Sequence, residues 1–260
     1  MQAYEKVKLA RDIDRISTKD VIQHLTDSFV ECHGDRLSKE DRAIIGGVGL
    51  LNDDPITIIG HEKGREPAEH MSHNFGSSGP AGYRKAQRLM KQAEKFNRPI
   101  LTLINTAGAD ATPEAEEGGV GEAIAQTMFL MSSLKVPTLA IILGEGGSGG
   151  AIALAVADEV WIMEHSVYSI LSPEGFASIL WKDASKAEKA ADLMKLTASD
   201  LKEMQIVERI IQETTANGEK IPKSRVLDNL KENIMTFLKE AKNVSVDERL
   251  LKRTNRFRNY

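Results

Sequence analysis

Residues 139–158 read LAIILGEGGSGGAIALAVAD: an apolar strand, a stretch in which five of seven residues are glycine, then a short alanine-rich helix. Glycine lets backbone pass close to a ligand, and a helix start offers unpaired N–H groups to negative charge. Three chemistries fit. In the first, the backbone N–H groups of Gly149 and Gly150 stabilise an oxyanion or enolate oxygen, with Gly146, Gly147 and Ser148 supporting the turn. In the second, Gly144 to Gly149 match G-x-G-x-x-G, with Glu164 at the distance of a ribose-binding acid. Against it, the motif lies past the midpoint of the chain, whereas that fingerprint joins the first strand and helix of its domain. In the third, Gly146 to Gly150 match the G-x-S-x-G nucleophile elbow around Ser148; the only later histidine is His165, which Asp158 or Glu159 would have to orient. A tight turn with close helix–strand packing explains two or three of the glycines but not five.

The elements that must position this stretch follow from periodicity. Thr18 caps an amphipathic helix with Val21, Leu25 and Phe29 at four-residue spacing and Gly34 after its end. Residues 43–51 and 55–61 read as strands joined by a hairpin turn of Asn52, Asp53 and Asp54. A polar loop covers 62–79, and Pro80 opens a helix to Asn97. A buried strand at 99–105, a loop at 106–118 and a helix at 121–135 lead to the strand 137–143 that enters the glycines. Further strands are expected at 160–163 and 167–171, and helices at 173–180 and 185–196. Ser199 caps another helix before the apolar run 206–211. The recurrence of strand, loop and helix is an α/β signature. It divides the chain into a helical segment (1–38), a main domain (39–222) and a charged helical tail (223–260).

Composition narrows the class. With 260 residues and 41% hydrophobic content, one large domain with a sizeable core is expected. A formal net charge of -4 argues against nucleic acid as a partner. The single cysteine, Cys32, allows neither a disulfide framework nor a cysteine-rich zinc site. The charged N-terminus lacks a signal-peptide core, and no apolar run reaches the ~18 residues of a membrane span, so a cytoplasmic chain is expected.

The run GEGGSGGAIALAVAD, with SVYSILSPEGFASILWKDASKAEKAADLMKLTASDLKEMQIVERII, GDRLSKEDRAIIGGVG, IIGHEKGRE, NFGSSGPAGYRKAQRLMKQAEKF and EAIAQTMF, closely resembles the carboxyltransferase alpha subunit of bacterial acetyl-CoA carboxylase over residues 25–260. The resemblance implies a crotonase-like α/β fold of repeated β-β-α units with flanking helices. It implies an α2β2 assembly with a beta subunit that carries a zinc ribbon and most of the acetyl-CoA site, and no metal in this chain. Its further partners are a biotin carboxyl carrier protein, to which biotin is covalently attached, and biotin carboxylase. The implied reaction moves a carboxyl group from carboxybiotin to acetyl-CoA, giving malonyl-CoA for fatty acid biosynthesis. The family's glycine pair, matching Gly149 and Gly150, holds the biotin ureido oxygen through backbone N–H groups.

Other positions carry weaker expectations. Lys63 and Arg65 could meet CoA phosphates, a solvated loop being the plainer reading; Gly108 and Ala109 are candidate substrate-binding positions. His70 and His73 have metal-like spacing with nothing to complete a ligand set, so they read as surface residues. Glu145 and Glu174 are expected to orient the glycines or cap a helix, and Tyr83, Phe129 and Trp181 to pack or meet the beta subunit. The loop after 99–105 departs from the family: an aromatic position is Asp110 and an arginine position is Gly118. That leaves two alternatives open, a catalytically weak paralogue serving as an assembly partner and a carboxyltransferase for another acyl-CoA.

Overall fold

A computed structural model describes residues 1–259. The elements run α1 (Ala3–Ala10), α2 (Thr18–Leu25), β1 (Ser28–Glu31), β2 (Ile44–Leu51), β3 (Asp54–His61), α3 (Pro67–Ser72), α4 (Pro80–Lys95), β4 (Ile100–Thr106), α5 (Pro113–Glu117) and α6 (Val120–Ser133). Then come β5 (Thr138–Gly147), α7 (Ser148–Ile152), β6 (Glu159–Met163), β7 (Val167–Ser169), α8 (Pro173–Trp181), α9 (Ala187–Met194), α10 (Ala198–Glu203), β8 (Arg209–Ile211), α11 (Lys223–Ala241) and α12 (Val246–Arg258). One sheet holds all eight strands in the order β1-β2-β3-β4-β5-β6-β8, with β7 added to the far end of β5. The β1, β2 and β3 ladders are antiparallel and the rest parallel.

Both faces of the sheet are covered, which is why β4 and β5 read as continuous apolar runs instead of alternating ones. Ile100, Ile104, Ala140 and Ile142 point to one face, under Leu89 and Met90 of α4 and Met131 of α6. Leu101, Leu103, Leu139 and Ile141 point to the other, under Val21 and Leu25 of α2 and Leu230, Ile234 and Phe237 of α11. The β2–β3 hairpin turns through Asn52 and Asp53, at φ of +49° and +65°. Asparagine and aspartate tolerate that left-handed region best after glycine.

Several expectations are corrected. The first long helix is α2 alone: Ser17, not Thr18, is its cap, in a reciprocal capping box with Asp20, and the helix stops at Leu25. Phe29 lies in β1, because Phe-Val-Glu favours strand and the Asp27 and Cys32 amides extend its ladder to the Leu50 and Gly46 carbonyls. The 62–79 loop contains α3, started by Pro67 with a Glu66–Glu69 capping box, and a 3-10 turn at Asn74–Gly76. The 106–118 loop contains α5, capped by Thr112. Residues 185–196 divide into a 3-10 turn and the shorter α9. Thr197, not Ser199, caps α10, again with an aspartate three residues on. The glycines are less of a turn than expected: β5 continues through Gly147, pairing Gly146 with both Thr106 of β4 and Tyr168 of β7.

Candidate functional site

At the carboxyl ends of β4 and β5, two stretches of backbone lie almost in contact. A Cβ on Gly147 would sit 2.0 Å from the Ala107 carbonyl oxygen, and one on Gly150 would sit 2.6 Å from the Ala109 nitrogen and 3.0 Å from the Tyr83 hydroxyl. A Cβ on Gly144 would meet the Asn105 side chain at 2.6 Å. Three of the five glycines are therefore demanded by backbone packing. Gly149 is different: its nearest neighbour would be Ile124 at an ordinary 3.6 Å. Between strand and helix, Ser148 takes φ +52° and is exposed. Thr106 Oγ1 accepts the Gly108 N–H at 3.1 Å and donates to the Gly108 carbonyl at 2.7 Å, holding the facing loop in place.

Gly149 and Gly150 follow Ser148 in the first turn of α7, and among the described residues no backbone or side-chain acceptor pairs with either N–H. Amides at a helix start are free by construction; here no cap takes them. Gly149 lines a cavity of about 500 Å³ together with Ser148, Ile152, Tyr168 and Ile170, while Gly150 is buried behind it against the 108–109 backbone.

The strand carrying the glycines is held by two arginines that sequence reasoning missed. Arg11, at the end of α1, donates to Glu145 from Nε (3.0 Å) and Nη2 (2.8 Å), and from Nη1 to Glu174 at the start of α8 (2.9 Å). Tyr4 Oη donates to Glu174 at 3.1 Å. The Arg11 hydrogen bond, against the opposing effect of burial, holds the Glu174 carboxyl down at about 2. Arg15 donates twice to the Leu143 carbonyl, at 2.6 and 3.2 Å, and pairs with Glu213 at 2.5 Å. The only signal in the sequence was a pair of arginines four apart. Glu145 and Glu174, expected to orient the glycines or cap a helix, are joined through Arg11, a partner that was not foreseen.

The competing readings lose their residues. Glu164 accepts from Thr214 Oγ1 at 2.7 Å and from the Glu213 and Thr214 amides at 2.7 and 2.8 Å, so it ties β6 to the segment after β8 and leaves no free acid for a ribose. Ser148 and His165 line different cavities, His165 standing with Arg15 and Glu213. His70 stacks on Phe75, His73 hydrogen-bonds the Glu69 carbonyl, and among the described residues no group of three or more His, Cys, Asp or Glu is placed to hold a metal. Tyr83 is core, Trp181 packs edge-on to Phe176, and Phe129 is 73% exposed. Asp110 caps the Thr112 amide, and a side chain at Gly118 would meet Pro80 at 2.9 Å, so that glycine is packed, not loose. Lys63 and Arg65 share one cavity, but Arg65 is bound to Asp20 while Lys63 turns inward.

The family model described as acetyl co-enzyme A carboxylase carboxyltransferase-like matches residues 1–260. The chain belongs to that family. It is 51% identical over 259 residues to the acetyl-coenzyme A carboxylase carboxyl transferase subunit alpha of Clostridium perfringens, covering 100% of this chain and 95% of the relative. It is also 51% identical to the subunits beta/alpha protein of Natranaerobius thermophilus, spanning 42% of that longer chain. Among solved structures, transcarboxylase 12S superposes with a TM-score of 0.73 at 16% identity, over 89% of this chain and 43% of that one. The chain has the same mixed α/β fold as the transcarboxylase 12S and geranyl-CoA carboxylase beta-subunit structures.

Proposed function

We propose that the chain is the alpha subunit of an acetyl-CoA carboxylase carboxyltransferase and, with a beta subunit in an α2β2 assembly, transfers a carboxyl group to acetyl-CoA to give malonyl-CoA for fatty acid biosynthesis. Biotin, borne on a separate carrier protein and charged by biotin carboxylase, supplies the transferable carboxyl group when bound. The observation that carries the reading is the pair of adjacent amides at Gly149 and Gly150, unclaimed among the described residues, with Gly149 in the wall of an apolar cavity and Gly150 behind it. These residues fit the group: two donors for its ureido oxygen, and apolar walls for its ring and chain.

This chain contributes electrostatics, not a proton-transferring side chain. The Gly149 and Gly150 N–H groups are fixed before substrate arrives by the packing of Gly147 and Gly150 against the 107–109 loop, so no reorganisation is needed as charge develops on an oxygen opposite them. Each such donor is worth on the order of 3 kcal/mol. Gly108 and Ala109 form the facing wall, where substrate is brought against the amides. The remaining half of the site comes from the partner. Phe129, Ile170 and Ile179, at 73%, 77% and 69% exposure, support a covered face near it. A cytoplasmic location suits this role, and among the described residues no helix is long and apolar enough to cross a membrane.

The test is malonyl-CoA formation by the chain co-purified with a beta subunit, comparing wild type with Gly149→Asp. A side chain fits at this position, so assembly by mass measurement stays intact while turnover falls at least about 100-fold. Wild-type turnover in an intact Gly149→Asp assembly refutes the assignment.

A further inference from the structure

On the α1–α2 side of the same strand ends lies a second cavity, of about 280 Å³, whose charged and polar walls include Arg11, Asp12, Arg15, His61, Glu62, Lys63, Arg65 and Asn105, with both His61 ring nitrogens unpartnered among the described residues. Its charges are unequally provided for. Arg11 is taken by Glu145 and Glu174, Arg15 by Glu213, and Arg65 by Asp20. The Glu62 carboxylate accepts from the Lys19 and Gly64 amides. Among the described residues Lys63 has neither a hydrogen bond nor an ion pair, although its stem is packed where Gly76 and Asn105 approach. Arg11 and Arg15 each keep one Nη1 hydrogen beyond these partners, and Asp12 accepts the Asp14 amide through Oδ1. The walls therefore carry four cations, of which Lys63 is unpaired, against the two carboxylates of Asp12 and Glu62.

We propose that this cavity is a binding site for a small oxyanion of the phosphate class, with the Lys63 ammonium as its principal counter-charge and Arg11 and Arg15 N–H groups as supporting donors. Leaving an ammonium out of water without a partner is costly, and an anion removes that cost. Burial, with Arg11 adding to it and Glu145 opposing, holds the Lys63 ammonium below its ordinary value, and a bound anion reverses the direction. The volume is several times the ~30 Å³ share of one water, so it has room for a phosphate group. The shared chemistry has two sources: free phosphate, or a terminal phosphate of a larger cosubstrate reaching in from outside. Arg65, at the mouth and paired with Asp20, plays no part.

The test is thermal melting of the full chain in chloride buffer at constant ionic strength, with inorganic phosphate as the probe. Wild type gains about 3 °C at saturation, Lys63→Met gains nothing, and Arg65→Ala responds like wild type. Coenzyme A and dephospho-coenzyme A form separate arms. Stabilisation by the first alone, at concentrations where free phosphate is still weak, assigns a cosubstrate phosphate, and stabilisation by phosphate alone assigns the free ion. Independently of any variant, phosphate slows modification of Lys63 by an amine-reactive reagent, read by peptide mass spectrometry against exposed Lys95. Equal stabilisation of wild type and Lys63→Met, or an unchanged modification rate at Lys63, overturns the proposal.

Discussion

Adjacent glycines at 149 and 150 do different work, and substitution separates them. A methyl group at 150 would lie 2.6 Å from the Ala109 nitrogen, so Gly150→Ala has to push the 107–109 loop away; the expected cost is about 1–3 kcal/mol, seen as a lowered Tm. Gly149→Ala meets only Ile124 at 3.6 Å and is expected to melt within about 2 °C of wild type. Ser148 supplies a turn conformation, not a nucleophile: Ser148→Gly removes the strain of φ +52° and is expected to retain carboxyl transfer, and wild type is expected to resist fluorophosphonate labelling. At this scale the close backbone approaches fall within the seven residues the sequence singled out, because glycine enrichment is a direct imprint of such approach. It did not show which glycine faces which neighbour, since Ala107 and Ala109 lie some forty residues earlier and carry no pattern of their own. Arg11 and Arg15 were invisible for the same reason: a long cation is informative only once its carboxylates have been placed.

The N-terminal helix clamps two other elements, the end of β5 and the start of α8, through the Arg11 fork. Because the Glu174 carboxyl is held at about 2 instead of its ordinary 4.5, the contact contributes fully above 4.5 and is lost as pH falls from there toward 2. Wild type is expected to lose Tm across that window more steeply than Glu174→Gln, and equal slopes would remove the clamp from the account. Elements were legible where periodicity was unopposed: the β2–β3 hairpin, α4, β4 and α6 lie where apolar spacing and Pro or Asn-Asp punctuation put them, whereas the tail read as one charged helical segment is two helices, α11 and α12. They were misread where one pattern serves two states. Val21, Leu25 and Phe29 fit a helical stripe, yet the β1 ladder to β2 claims the last of them. The β5 strand runs past its apolar core into glycines because pairing to Thr106 and Tyr168 outweighs glycine's poor strand propensity.

Across the whole molecule, the helices flanking the sheet are fastened by buried charge as well as by apolar contact. Arg253 of α12, 1% exposed, donates to Asp158 at 2.9 and 2.7 Å and to the Met131 and Leu134 carbonyls at 2.8 Å each. Arg253→Met removes the donors to Asp158 Oδ1 and to two buried carbonyls, while Asp158 Oδ2 keeps the Thr138 amide and Arg249, and the change is expected to cost about 3 kcal/mol by denaturant unfolding. Adding Asp158→Asn recovers only part, because the carbonyls stay without a donor. The α/β class followed from the order of elements, whereas covering the α2–α11 face of the sheet needed tertiary contacts between residues more than one hundred apart. That wrapping also sets a schedule. A growing chain lays down Leu101, Leu139 and Trp161 well before Leu230, Ile234 and Phe237 exist to shield them, an interval on the order of several seconds at ribosomal speed. During translation this half of the sheet is a sticky nascent surface, and holdase chaperones have a defined time window in which to occupy it.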